Sequence, residues 1–167
     1  PRGICGTGAV SLLAALLELG AVDETGLLDE RYGEAFPLGG GVVLTQRDIR
    51  QFQLAKAAIA AAMDTLFDAA GLSPADIKTL HIAGGFGSAI DPRAAARIGL
   101  IPPALADRVS AAGNAAGLGA CMIASSQRAL DDAEALARDA RVLDLTESAV
   151  FRERFVEEML LGVPGEP

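Results

Sequence analysis

The sequence predicts an α/β domain in which a small, partly parallel sheet of about four strands is flanked by helices. The first observation is a strand-like stretch, residues 78–83, that runs directly into a glycine-rich stretch, residues 84–87. The second is a pair of segments, residues 9–19 and 45–71, with the apolar patterns of helices. The third is a set of short β-prone runs at residues 42–44, 108–111 and 142–145.

We expect the chain to be organised around residues 80–87. Four residues suited to a buried strand precede three glycines in four positions, where the backbone can turn sharply and approach a ligand closely. A binding loop and an ordinary strand-to-helix turn both fit this local pattern. Further small-residue segments, at residues 3–8 and 113–120, favour the binding loop.

Composition excludes several classes of function. At 167 residues and 51% apolar side chains, the chain can bury a core as one domain or one lobe of a longer protein. Its apolar runs are too short or too interrupted to cross a bilayer, so we expect no membrane association. A formal charge of −8, without a Lys/Arg cluster, argues against nucleic acid. Two isolated cysteines and no recognisable secretory leader favour a cytoplasmic protein.

The N-terminal segment, residues 3–8, is predicted to be a loop that precedes an apolar helix over residues 9–19, with Gly20 at its end. Glycines that open a helix leave backbone N–H groups free for an anion. The pattern from Gly6 is a near miss to the dinucleotide fingerprint, since Ser11 stands where the third glycine belongs. Cys5 is expected to be a buried thiol rather than an activated one.

A capped helix is predicted to start after Thr45, because Asp48 stands three residues later, and to run to Gly71. Residues 22–41 precede the short β-prone run at 42–44. They show no sustained hydrophobic periodicity and are predicted to be a surface excursion. The apolar stripe of this helix consists of Ile49, Phe52, Ile59, Met63, Leu66 and Ala70.

Lys56 lies inside that stripe, with Gln53 on its flank. The ordinary interpretation is that the lysine snorkels along apolar surface to reach water. The functional interpretation is that this face borders a pocket in which the ammonium meets a phosphate or a ribose.

Shorter elements complete the expected order of the chain. They are a turn or short helix at 73–76, a helix from Asp91 to residue 98, a small-residue helix from 113–120 towards 126, an exposed helix at 127–138 and a last helix at 148–161. The small-residue helix is expected to pack close to its neighbours. The last helix should turn Val150, Phe151, Phe155 and Met159 inward.

The residue inventory limits the chemistry of this chain. There is no Walker-type phosphate loop, and one histidine with two distant cysteines cannot build a zinc or iron–sulfur site. His81 is expected to be a structural residue of its strand. Asp48 and Asp91 are best explained as helix caps.

Five motifs in this order resemble the C-terminal part of reductive activators of corrinoid proteins, over nearly the full chain. They are residues 3–8 (GICGTG), 53–59 (QLAKAAI), 82–87 (IAGGFG) with 90–92 (IDP), 113–117 (GNAAG) and 151–155 (FRERF). The resemblance implies a ribonuclease-H-like, actin-like (ASKHA) ATPase lobe over residues 1–161, and we expect 162–167 to be a mobile tail.

That family belongs with the acetate and sugar kinases, Hsp70 and actin, whose two lobes close over ATP and a divalent metal. The resemblance implies a longer protein in which a ferredoxin-type domain with a [2Fe-2S] cluster supplies an electron. ATP and Mg would then drive the reduction of a Co(II) corrinoid to Co(I) on a partner methyltransferase or corrinoid protein. A homodimer is left open.

The resemblance also implies roles for particular residues. The residues that match the adenosine motif are Gly84, Gly85, Phe86 and Gly87. The turn beside the second phosphate motif is matched by Gly6, Thr7 and Gly8. The second connecting helix is matched by Asn114, Ala116 and Gly117, and the helix that reaches purine and ribose by Gln53 and Lys56.

Two departures from the family pattern matter. The first phosphate motif, whose aspartate positions magnesium and water, would lie before Pro1, and no ferredoxin cysteines are present. The chain is therefore expected to carry at most half of an ATP site and no ATPase activity alone. A non-catalytic actin-like interaction or dimerisation domain remains an alternative, and so does an activator of 2-hydroxyacyl-CoA dehydratases that uses Cys5.

Overall fold

Four strands form two separate two-stranded sheets in the computed structural model, which describes residues 3–162. The strands are β1 (Ala35–Gly39), β2 (Val42–Thr45), β3 (Leu80–Ala83) and β4 (Val109–Gly113). β1 and β2 are antiparallel, whereas β3 and β4 are parallel. The predicted class of small mixed sheets flanked by helices is confirmed, but the strands do not join into one sheet of four.

Seven helices lie within the described part of the chain. They are α1 (Gly6–Glu18), α2 (Gln46–Ala70), α3 (Gly84–Ala89), α4 (Pro92–Arg97), α5 (Ala115–Ser125), α6 (Gln127–Asp139) and α7 (Ala149–Glu157). Short 3₁₀ helices span Glu30–Tyr32, Pro74–Asp76 and Pro103–Arg108. No helix among residues 3–162 is both long and apolar enough to cross a membrane.

The core lies between α1, the start of α2, and α4 with the turn that follows it. Val10, Leu13 and Leu16 of α1 are buried, as are Ile49 of α2 and Ile98 after α4. α4 contributes three consecutive buried alanines, and their small side chains allow a close approach to α1. This packing fixes the inward face of α1, the helix that begins at Gly6.

The region 22–41 is more regular than predicted. Val22 forms an antiparallel bridge with Leu28, and both side chains are buried. β1 then pairs with β2 through a turn in which Gly40 and Gly41 have positive φ. The sequence pattern did not predict β1, because Pro37 and a register shift between Pro37 and Gly39 interrupt the alternation of apolar and polar residues.

Three predictions about the second half of the chain are wrong. Residues 142–145 form no strand, and Val142 is 95% exposed. No residue of α5 is buried, so this helix does not pack closely on its neighbours as expected. The last helix ends at Glu157, earlier than predicted. Its predicted inward residues are half-buried while the rest of the helix is exposed, so the predicted face is right, and Leu161 beyond the helix is fully buried. His81 is exposed on β3, and residues 163–167 of the expected mobile tail lie outside the described part.

The predicted start and end of α2 are confirmed. Thr45 and Asp48 form a reciprocal capping box, in which the Asp48 carboxylate accepts from the Thr45 N–H at 2.9 Å. The helix ends at Gly71, which has a left-handed conformation. Hydrogen bonds from the Thr45 hydroxyl and N–H lower the pKa of Asp48.

We expect Asp48→Ala to lower the free energy of unfolding by about 1 kcal/mol at pH 7, because it removes half of the capping box. Since the folded-state pKa of Asp48 is lowered, its contribution is present above its unfolded pKa and is lost as the pH falls through the folded value. The penalty should therefore shrink in acid. Urea unfolding of wild type and variant, at pH 7 and at an acidic pH below the folded-state pKa of Asp48, measures this penalty. Asp68→Ala, an exposed position near the other end of α2, is the control, and an equal penalty at both pH values would contradict the assignment.

Candidate functional site

The carboxyl ends of β3 and β4 bring two of the predicted motifs together. The strands run parallel, and Ala83 is paired with Gly113. The next residues, Gly84 and Asn114, therefore leave the sheet at the same edge. Gly84 is the first residue of α3, and Asn114 is the N-cap of α5. In α/β folds, ligands bind at this end of parallel strands.

The third motif, residues 3–8, adjoins this edge because Gly6 lies against the ring of Phe86. A side-chain carbon added to Gly6 would lie 3.3 Å from Cε2 of the Phe86 ring. The start of α1 and the start of α3 are therefore neighbours. Had the two glycine segments stood at opposite ends of the molecule, the sequence-based site would have been refuted.

We call the surface formed by Gly6, Gly84, Gly85, Phe86 and Asn114 the glycine surface. All five residues are exposed, so it is an open wall rather than a closed pocket. Gly84 has φ of +80°, a conformation that disfavours other residues. Nothing lies within 4 Å of a side-chain carbon built on Gly85, which leaves bare backbone available to a ligand.

The glycine-rich stretch is the beginning of a short helix rather than an extended loop. α3 folds back directly onto β3, and Gly87 makes this possible. A side-chain carbon at Gly87 would collide with the carbonyl group of Ile82. The strand-to-helix interpretation therefore describes the backbone, while Gly84 and Gly85 remain accessible at its surface.

Asn114 and Gly117 form the turn that begins α5. The Asn114 Oδ1 accepts a hydrogen bond from the Gly117 N–H at 3.0 Å. A side-chain carbon at Gly117 would lie 2.5 Å from the Asn114 amide nitrogen. A side chain at Gly117 would therefore displace the Asn114 cap, and the predicted role of Gly117 beside a ligand stays a prediction.

Cys5 is the N-cap of α1, beside the glycine surface. Its thiol is exposed, contacts the Thr7 hydroxyl at 3.3 Å and accepts from the Gly8 N–H at 3.4 Å. The contact with Thr7, followed by the Gly8 N–H, lowers the pKa of Cys5. The prediction of a buried thiol is therefore wrong. Thr7 and Gly8 are half-buried and shape this first turn.

Lys56 and Gln53 do not contact the glycine surface residues. The Lys56 ammonium donates to the Glu158 carboxylate, to its carbonyl and to the Leu160 carbonyl, at 2.8, 2.8 and 2.9 Å. Gln53 Nε2 donates to Thr25 O at 3.0 Å and to Met159 O at 2.7 Å. The prediction that Lys56 snorkels to water is wrong, because its side chain is 0% exposed.

The buried face of α2 differs from the predicted stripe. Ile59 and Leu66 are 48% and 54% exposed, whereas Gln53, Lys56 and Thr65 are buried. Sequence reasoning missed Glu158 because it stands 102 residues from its partner, and no local pattern signals that pairing. Nothing in the structure tests the predicted contact of Gln53 and Lys56 with a nucleotide, and the function proposed below rests on the glycine surface alone.

Comparison with known proteins decides the family. The family model described as the C-terminal domain of RACo, the ASKHA domain, matches residues 1–165. The chain belongs to this family.

Two curated relatives of this ASKHA domain have names that refer to corrinoid proteins. Corrinoid activation enzyme RamQ of Eubacterium limosum is 29% identical over 97% of this chain and 32% of its own length. The [Co(II) methylated amine-specific corrinoid protein] reductase of Methanosarcina barkeri is 28% identical over 99% of this chain and 30% of its own. The chain therefore spans about a third of each relative.

A solved structure shows the same fold. The reductive activator for corrinoid, iron–sulfur protein superposes with a TM-score of 0.83 at 29% identity, over 95% of this chain and 28% of that protein. The prediction of an ASKHA lobe of a corrinoid activator family is confirmed.

We expect Gly87→Ala to lower the free energy of unfolding by about 2–3 kcal/mol, because the new methyl group is forced against the Ile82 carbonyl. Gly85→Ala is the matched control. Its methyl group enters open space, and alanine favours a helix, so it should gain up to about 1 kcal/mol. Denaturant unfolding measures both values, and equal effects would refute the role given to Gly87.

Proposed function

We propose that this chain is the nucleotide-binding lobe of an ATP-dependent activator that reduces a Co(II) corrinoid to Co(I) on a partner methyltransferase or corrinoid protein. The observation that carries the proposal is the convergence of Gly6, Gly84 and Asn114, from three separate motifs, on one surface. The family and the named roles of its relatives favour corrinoid activation over the other uses of the fold. We propose a cytoplasmic setting.

The glycine surface suits a nucleoside with phosphates. Bare backbone at Gly84 and Gly85 lets a flat base or ribose approach closely, and the exposed Phe86 ring offers an apolar face. α1 and α5 both begin here, so the first-turn N–H groups that the N-caps Cys5 and Asn114 leave free can donate to phosphate oxygens, assisted by the helix dipoles. This chain would thus bind and orient the nucleotide.

The metal expected with ATP does not fit this chain alone. Within residues 3–162 there is no group of three His, Cys, Asp or Glu side chains that could hold a metal ion. We assign no step of the reaction to a metal on this chain. Two cysteines in the whole sequence are also too few for the four thiolates of a [2Fe-2S] cluster, so we propose that the electron comes from a domain outside these 167 residues.

An adenine nucleotide should raise the melting temperature of the chain, because a ligand that binds only the folded state stabilises it. At 100 times the Kd the gain is about 2.7 kcal/mol, or roughly 5–10 °C for a domain of this size. Gly85→Leu should melt at or slightly above the wild-type temperature without ligand, since its side chain enters open space and leucine favours a helix, but it should lose the ligand-induced shift.

Differential scanning fluorimetry with ADP and with a non-hydrolysable ATP analogue measures this. If millimolar nucleotide does not raise the melting temperature of the wild-type chain, the alternative of a non-catalytic actin-like interaction or dimerisation domain is favoured instead. A full shift in Gly85→Leu would remove the glycine surface from the proposal.

The 167-residue chain with ATP and magnesium should release phosphate no faster than the buffer blank. The glycine surface supplies backbone donors for phosphates, but residues 3–162 contain no cluster of three His, Cys, Asp or Glu side chains that could hold a metal ion. A coupled assay of ADP formation tests this, with an intact acetate or sugar kinase and its phosphoryl acceptor as the positive control, because a kinase and an ATPase both form ADP. Turnover comparable to that kinase would refute the half-site proposal.

A further inference from the structure

The segment 158–162, which we call the strap, is held against the fold largely by two side chains of α2. Lys56 binds the Glu158 and Leu160 carbonyls and the Glu158 carboxylate, and Gln53 binds the Met159 carbonyl. A main-chain bond from the Leu161 N–H to Glu24 O, 2.7 Å long, adds to these contacts. No β-ladder within the described residues joins the strap to either sheet.

One apolar side chain anchors the strap. Leu161 is 2% exposed and belongs to the core, whereas Leu160 is 42% exposed and Met159 is only half-buried. The preceding helix α7 contributes no buried residue. Detaching the strap therefore withdraws one leucine from the core and leaves the residues of α1 and α4 in place.

The hydrogen bonds of the Lys56 ammonium tie α2 to the strap. All hydrogen-bond partners of this ammonium among residues 3–162 belong to the strap. When the strap leaves, water can replace these partners, so opening does not strand a buried charge. Gly99 leaves room for the closed arrangement, because a side-chain carbon there would lie 2.8 Å from Lys56 Nζ.

The closed strap also forms one wall of a cleft of about 180 Å³. Glu158 and Gly162 line it from the strap, while Asp64, Gly99 and Pro103 line it from the fold. Opening would join this cleft to the space that the ammonium occupies. The cleft and Lys56 are separate from the glycine surface.

We propose that the strap opens as a unit, with Lys56 as its latch, while α1, α2 and α4 stay folded. Because the strap contributes one buried apolar side chain and a small set of hydrogen bonds, opening exposes much less surface than global unfolding. The chain therefore has a closed state that hides its buried lysine and an open state that presents it to solvent.

The lysine content makes opening measurable. Lys56 and Lys78 are the only lysines of the chain, and Lys78 is exposed. We would acetylate the native chain with an N-hydroxysuccinimide ester and follow both lysines by mass spectrometry at increasing urea concentrations. Lys56 should react about 100-fold or more slowly than Lys78, at a rate that changes little until global unfolding begins.

Glu158→Gln should raise the Lys56 rate about tenfold, because a neutral acceptor replaces the paired carboxylate. Glu157→Gln is the control, since that carboxylate pairs with Arg154 instead, and Lys78 should be unaffected in both variants. A wild-type Lys56 rate that rises with urea as steeply as global unfolding would overturn the proposal, and so would a folded Glu158→Gln with the wild-type rate. If Glu158→Gln does not fold, the wild-type urea dependence alone decides.

Discussion

The parallel pairing of β3 with β4 is the constraint on which the candidate site depends. Because Ala83 and Gly113 are partners, the segments that follow them must leave the sheet side by side. Gly87 lets α3 fold back onto β3, and Gly6 lets α1 approach the Phe86 ring. A change in strand register would separate the adenosine-like motif from the start of α5.

The core and the site are joined through α1. Its inward residues Val10, Leu13 and Leu16 fix the helix against α4, while its first turn reaches the glycine surface. The buried ion pair of Lys56 and Glu158 forms a second polar centre, and its contacts serve the strap. The glycine surface and the Lys56–Glu158 pair thus lie at different places in one small fold.

Local patterns predicted the parts of the fold that local chemistry decides. Thr45 and Asp48 mark the start of α2, and Gly71 marks its end. β1 escaped prediction because Pro37 and a shifted register hide its alternation. The buried face of α2 also escaped, because Lys56 is matched by Glu158 from the far end of the chain.

The glycine motifs were found from the sequence, whereas their meeting was not derivable from it. A glycine in the sequence indicates where the backbone can turn or where a ligand can approach it closely. The contact between Gly6 and Phe86 depends on tertiary packing, which no local pattern predicts. In the same way, Cys5 is exposed because it caps α1, although a lone cysteine is more often buried. Order and spacing identified the family, and the coordinates identified which motifs share a surface.

The most direct test of the account is an amide chemical-shift titration of the 167-residue chain with ADP, observed by NMR. The account predicts that the largest shifts fall on residues 6–8, 84–87 and 114–117, and that the amides around Lys56 and residues 158–160 move little. Shifts centred on Gln53, Lys56 and the strap, with the glycine segments unchanged, would contradict it.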